Sequence, residues 1–229
     1  MWIVSDAPEK AAAEALEGML REVLAARPVA RLAISGGSAA QLVGDVRAAL
    51  GDEWSRIYLT WADERAVPFD DAQSNRGSAY RSAALSKEAL PGRELPLYED
   101  GEPASDALAR VSAAFQSEFD GGLDVVLLGL GEDGHIASLF PGRPPLPGLV
   151  AWVADSPKPP AQRITLTLPA LETAKHTMIY ALGSGKRDAL NRLAAQDPAL
   201  PASSLSTITV VTDQVLEEPL AAPRGTHHD

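Results

Sequence analysis

Four short stretches of this 229-residue chain carry side chains whose type and spacing could do chemistry. The first runs from Asp124 to Gly142 and reads DVVLLGLGEDGHIASLFPG. Asp133 and His135 stand two apart in it. A neutral imidazole takes a proton from water near neutral pH, because its ordinary pKa is about 6.5. A carboxylate beside it orients the ring and stabilises its charged form, which predicts a working pKa at or above that value. An isolated Asp-Gly-His is more often a turn followed by a helix residue. Here it sits in a glycine loop after a buried apolar run, and Gly131 lets a substrate approach the backbone.

The second stretch is Ser35-Gly36-Gly37-Ser38, between a strand pattern and a helix pattern. Bare N–H groups at a helix start form a ready anion site, although such a tetrapeptide also serves as a plain turn. The third is Asp63-Glu64-Arg65 with Ser74-Asn75-Arg76. Adjacent opposite charges on a loop are usually a solvated pair of little value, and Asn75 reads as a helix cap. The fourth joins Arg163 to Gly183-Ser184-Gly185-Lys186. A lysine at a helix start opposes the helix dipole, a conflict that a bound anion would resolve.

Several classes of function fall away. Gly129, Gly131 and Gly134 satisfy a dinucleotide fingerprint, with Asp155 downstream as the acid. That fingerprint needs a long helix after the third glycine, and Pro141 arrives too soon for one. The GSGK segment is no P-loop, since Tyr180 stands where the first glycine belongs. No Gly-x-Ser-x-Gly elbow occurs. There is no cysteine, and the histidines (135, 176, 227 and 228) show no zinc spacing, so no metal and no cofactor are expected. A formal charge of −11 argues against nucleic acid and anionic membranes as partners. The N-terminus lacks a leader pattern and no segment is apolar enough to span a bilayer, so a cytoplasmic protein is expected.

The elements that must position these residues alternate. Leu16, Met19, Leu20, Val23 and Leu24 share one helical face, closed by Pro28. Strands are expected at 31–35, 57–61, 125–128, 164–168, 178–182 and 208–211. Helices are expected at 39–50, 75–85, 104–119 and 184–195. This order predicts an α/β protein with a mostly parallel, Rossmann-like sheet between two helical layers, in one domain. Asp63 to Arg65 reads as a loop leaving a strand, as do the other candidate stretches, at the carboxyl ends where such folds place function. Pro141 to Pro147 reads as a rigid connection and the tail from Glu217 as mobile.

Taken together, the stretches resemble the 6-phosphogluconolactonase family, which is related to the glucosamine-6-phosphate deaminases. The matching segments are 35–38, 63–65, 74–75, 129–142, 163–168, 183–186 and 201–205, in family order over most of the chain. The run from Gly129 to Gly142 is the specific one. The resemblance implies a three-layer α/β/α fold and metal-free hydrolysis of 6-phospho-D-glucono-1,5-lactone. His135 would then activate water, with Asp63 or Asp133 orienting the ring. Arg163, Lys186, Arg65 and the N–H groups of Gly36, Gly37 and Ser38 would hold the phosphate, with Asn75 and Gly131 also lining the site. Ala39-Ala40 replaces the hydroxyl and proline usual in the family loop, which leaves backbone contacts as the expected anion ligands. The deaminases carry Glu five residues after this histidine, and Phe140 stands there instead. A sugar-phosphate sensor of the same fold is the third reading; it would bind without turnover.

Overall fold

The structure is a computed structural model that describes residues 1–216. The expected tail from Glu217, with His227 and His228, lies outside the described residues.

The chain alternates strand and helix as its pattern predicts. In order it forms β1 (Trp2–Val4), α1 (Pro8–Ala26), β2 (Ala30–Ile34), α2 (Ser38–Leu50) and β3 (Ile57–Trp61). There follow β4 (Asp63–Arg65), α3 (Asn75–Arg81), β5 (Arg93–Leu95), α4 (Ala104–Ser117) and β6 (Val125–Gly129). The last third holds β7 (Val150–Val153), β8 (Arg163–Leu166), α5 (Leu168–Leu171), β9 (His176–Tyr180), α6 (Arg187–Ala194) and β10 (Ile208–Thr212).

Seven strands pair in the order β1-β10-β9-β6-β2-β3-β5. Every pairing in this sheet is parallel, and helices flank it in the three-layer α/β/α arrangement. A strand covered on both faces should be apolar at every position. Val125 to Leu128 at the centre of the sheet are all fully buried. Of the stripe read from three- and four-residue spacing, helix α1 buries Leu16, Leu20, Val23 and Leu24 and leaves Met19 partly buried. Phe115 and Phe119 stack near the end of α4 with ring centroids 5.7 Å apart.

The structure corrects several expectations. Asp63 to Arg65 is not a loop: it is strand β4, which pairs antiparallel with β8. Together with β7 these form a separate three-stranded sheet. The strand expected at 164–168 therefore ends at Leu166 and stands outside the parallel sheet. Pro169 in the first turn of α5 favours the helical start that follows. The helix expected to run to Leu85 stops at Arg81, and Ala83 takes a left-handed φ of 62°. The cap of α3 is Ser74, whose side chain accepts from the Gly77 N–H at 2.9 Å; Asn75 is the first helical residue. Residues 184–186 form a single 3₁₀ turn before α6. Between Gly129 and Leu168 there is no helix, as the Pro141 argument requires.

Candidate active site

The parallel strands set the place. The loops after β2, β6 and β9 all open at their carboxyl ends, and the short β4–β8–β7 sheet brings in Asp63, Arg65 and Arg163. These surround a cleft of about 380 Å³. Ten of the eleven candidate residues line it: Gly36, Gly37, Ser38, Asp63, Arg65, Asn75, Gly131, His135, Arg163 and Lys186. The eleventh, Asp133, stands directly behind His135.

The glycine loop has a steric reason at its centre. A Cβ on Gly131 would lie 2.0 Å from His135 Nδ1 and 2.5 Å from Asp133 Oδ1. Only a bare backbone lets the ring fold back across the loop. Gly131 N–H also donates to the His135 carbonyl at 2.8 Å, which closes the turn. The product is a tight pair: His135 Nδ1 lies 2.5 Å from Asp133 Oδ1. An ionised Asp133 places the ring proton on Nδ1, so Nε2 is left with a free lone pair. Phe140 backs the ring, with centroids 4.9 Å apart.

Of the two carboxylates expected to orient the imidazole, Asp133 is the one in contact. Asp63 is turned to other partners. It is 5% exposed and accepts from Ser138 Oγ at 2.7 Å. Asn75 Nδ2 donates to its carbonyl at 2.9 Å, and Arg163 Nη1 stands 3.6 Å from its carboxylate. Asn75 also explains Gly36, where a Cβ would fall 2.0 Å from Asn75 Oδ1.

The cations differ in how free they are. Arg163 is 3% exposed, and two of its nitrogens are committed to backbone carbonyls. Nη2 reaches Lys158 O at 3.0 Å and Pro159 O at 3.2 Å, and Nε reaches Pro160 O at 3.1 Å. Only Nη1 faces Asp63 and Ser138. Arg65 gives Nη1 to Gln73 O at 2.7 Å, and its buried Nε has no partner. Lys186 caps α6 with its ammonium near Glu132, Asp133 and Lys158. Ser35 Oγ, on the cleft wall, is buried and unpartnered. Buried polar atoms without partners are costly, and Ser35 Oγ and Arg65 Nε are two such atoms on this wall. Glu64 is tied instead to the start of α3, accepting from the N–H groups of Asn75 at 2.8 Å and Arg76 at 2.7 Å.

Burial and charge set the protonation states. Burial alone would raise the Asp133 carboxyl. The hydrogen bond from His135, with the charges of His135 and Lys158, outweighs it and brings the pKa to about 2. For His135 the balance runs the other way from the sequence expectation. Burial lowers its pKa by more than Asp133 raises it, so the ring stays neutral more readily than free histidine. Burial likewise lowers Lys186, against the pull of Glu132 and Asp133.

Sequence reasoning missed Lys158, Glu132 and Ser138. Lys158 lies in a proline-rich segment that gives no periodic signal. Glu132 and Ser138 flank Asp133 and His135 in the same loop, and adjacency to those residues was the available pointer.

The parallel α/β fold thus gathers an imidazole–carboxylate pair, a helix start and several cations in one cleft. The chain belongs to the glucosamine-6-phosphate isomerase/6-phosphogluconolactonase family, which it matches over residues 5–212. A rat (Rattus norvegicus) 6-phosphogluconolactonase is 39% identical over 203 residues, spanning 83% of this chain and 79% of that one. The human (Homo sapiens) 6-phosphogluconolactonase is 40% identical over 174 residues, 71% of this chain and 67% of that one. Among solved structures, a 6-phosphogluconolactonase from Shewanella baltica superposes with a TM-score of 0.78 at 26% identity, covering 93% of this chain and 96% of that one.

Proposed function

We propose that this protein hydrolyses 6-phospho-D-glucono-1,5-lactone to 6-phospho-D-gluconate, in the oxidative pentose phosphate pathway, as a cytoplasmic enzyme of one catalytic domain without metal or cofactor. The observation that carries the reading is the 2.5 Å contact of His135 with Asp133 at the wall of a cleft that also holds the start of α2. The relatives named above support the substrate.

The substrate phosphate lies against the N–H groups of Gly36, Gly37 and Ser38 at the start of α2. There the helix dipole favours an anion without any side chain. Lys186 and Arg65 add charge, which offsets the repulsion between an acidic protein and a nearly dianionic ligand. Arg163 contributes its one cleft-facing nitrogen and chiefly shapes the wall. The lactone ring then reaches toward His135. Nε2 takes a proton from water as the water oxygen bonds to the lactone carbonyl carbon. Asp133 stabilises the imidazolium that forms. The carbonyl oxygen becomes an alkoxide, which Arg65 or a loop N–H group holds. Collapse of this intermediate breaks the bond from the carbonyl carbon to the ring oxygen. The proton on His135 passes to that oxygen, giving the open acid. One turnover leaves the imidazole neutral and the books of atoms balanced.

Ring opening and amine loss from an amino sugar phosphate need a further acid at the place of Phe140, which instead packs its ring on His135. The test follows lactone disappearance and ammonia release side by side, with spontaneous hydrolysis subtracted and with EDTA in a parallel series. Rapid lactone loss unaffected by EDTA is expected. Ammonia from glucosamine 6-phosphate would favour the deaminase, and binding without turnover a sensor.

A further inference from the structure

Lys158 reaches the cleft from a segment outside every recognised loop. Its Nζ lies 3.3 Å from Asp133 Oδ1, the same oxygen that lies 2.5 Å from His135 Nδ1. One carboxylate oxygen is therefore shared between an imidazole and an ammonium on different parts of the chain. An exposed lysine–carboxylate pair is ordinarily weak, because fixing a long side chain costs entropy. Here the backbone beneath the lysine is fixed from two sides. Arg163 grips the carbonyls of Lys158, Pro159 and Pro160. Ser156 Oγ donates to the Lys158 carbonyl at 2.8 Å and accepts from the Lys158 N–H at 3.2 Å. A planar guanidinium that engages three consecutive carbonyls acts as a clamp, a task lysine could not perform.

We propose that Lys158 is a positioning residue for the His135–Asp133 pair, sharing the Asp133 carboxylate with the ring, and that Arg163 acts through it by fixing the backbone on which it stands. The inference rests on His135 being the general base. Three charged groups face the ring: Asp133 from its own loop, Lys158 from the clamped segment and Asp63 from β4. Burial opposes the imidazolium most; of the three charges, the two carboxylates favour it and Lys158 opposes it. Lys186 and Glu132 stand next to the same cluster. Lys158 thus holds the Asp133 carboxylate in place, adds to the His135 contact in keeping it ionised, and adds to burial in keeping His135 neutral.

The test reads the ring directly. The His135 ring signal is assigned by its loss in His135→Gln and titrated by NMR in the wild type, Lys158→Met and Lys158→Arg. Lys158 is half-exposed, and a thermal melt confirms that the variants fold. Removing the cation should raise the His135 midpoint by roughly half a unit, the scale of a partly screened charge at this range. Lys158→Arg should return it toward the wild-type value. In the lactonase assay the acid limb should move by the same amount, with KM changed less than twofold. An unmoved midpoint in Lys158→Met would overturn the proposal, and so would a shift that arginine does not reverse. A large rise in KM with a fixed midpoint would make Lys158 a substrate ligand instead. The NMR arm needs no turnover, so a wild type inactive on lactone would end the functional reading without touching this result.

Discussion

Two hollows of nearly equal size lie at opposite ends of the parallel sheet. The one at the carboxyl ends measures about 380 Å³ and the one at the amino ends about 390 Å³. Both contain arginine and lysine, and both leave a buried guanidinium nitrogen unpartnered, Arg65 Nε in the first and Arg31 Nε in the second. What separates them is how the charges are placed. At the amino end the cations are matched by acids: Arg27 meets Asp124 at 2.6 Å, Lys175 meets Glu22 at 2.5 Å, and Arg31 lies 3.4 Å from Asp120. Helix α1 ends there, with Val23 and Ala26 on the wall, so the dipole presents its negative pole. At the carboxyl end α2 begins, without a side-chain cap, so the dipole presents its positive pole. A lowered imidazole and a carboxylate held at about 2 stand beside them. Size does not separate the two hollows, and both hold ion pairs; the direction of the helices and the His135–Asp133 pair mark the carboxyl end as the candidate site.

The comparison is broken most directly by removing one residue from each end. His135→Ala should lower kcat by about 10²–10⁴-fold, the range for a positioned proton acceptor, with a smaller change in KM. Arg31→Ala at the opposite hollow should leave kcat within about twofold, since a surface-end substitution alters little beyond local stability. Circular dichroism and thermal melts check that both variants fold. Equal losses at the two ends would remove the distinction.

A subtler break leaves every reacting group in place. Gly131→Ala puts a methyl where His135 Nδ1 and Asp133 Oδ1 now sit, so the ring must move off its carboxylate. A displacement of about 1 Å costs on the order of 10²-fold in rate. The loss should appear in kcat, and an alanine variant with wild-type kcat would show that the close approach is dispensable.

The pH profile gives the smallest effect and concerns sign. Burial depresses His135 below its ordinary 6.5. A base so depressed remains neutral to lower pH, so turnover should be full above that value and fall only as pH drops through the lowered midpoint. Had the carboxylate dominated, the acid limb would begin above 6.5. Rates of kcat against pH, with spontaneous hydrolysis subtracted, distinguish the two.

Much of this was legible in the residues because the signals were local. The apolar run Val125 to Leu128 and the spacing in α1 fix sheet and helix, and Pro141 rules out a dinucleotide helix. The glycines at 131 and 36 stood out as bare backbone, but the side chains they make room for, His135, Asp133 and Asn75, emerge only from the packing. What escaped was what depends on packing between distant segments. Asp63 to Arg65 forms a strand only because β8 lies beside it, about a hundred residues away in sequence, and a three-residue strand has no period to read. The edge strands β1 and β5 escaped for the same reason. Lys158 gains its partner through a clamp from Arg163, which no local pattern announces. The direction of the His135 shift escaped because burial, a tertiary quantity, outweighed the neighbour visible in the sequence.

The central claim is that the carboxyl-end cleft recognises a phosphorylated lactone and opens it. The most direct measurement is kcat/KM on 6-phosphogluconolactone and on unphosphorylated gluconolactone, for the wild type and for Lys186→Met. Each charged hydrogen bond is worth roughly 1.5–3 kcal/mol, so the phosphorylated lactone should be preferred by well over about tenfold. Lys186→Met should erase most of that preference through KM while leaving the rate on the unphosphorylated lactone unchanged. Equal efficiency of the wild type on both lactones would contradict the account.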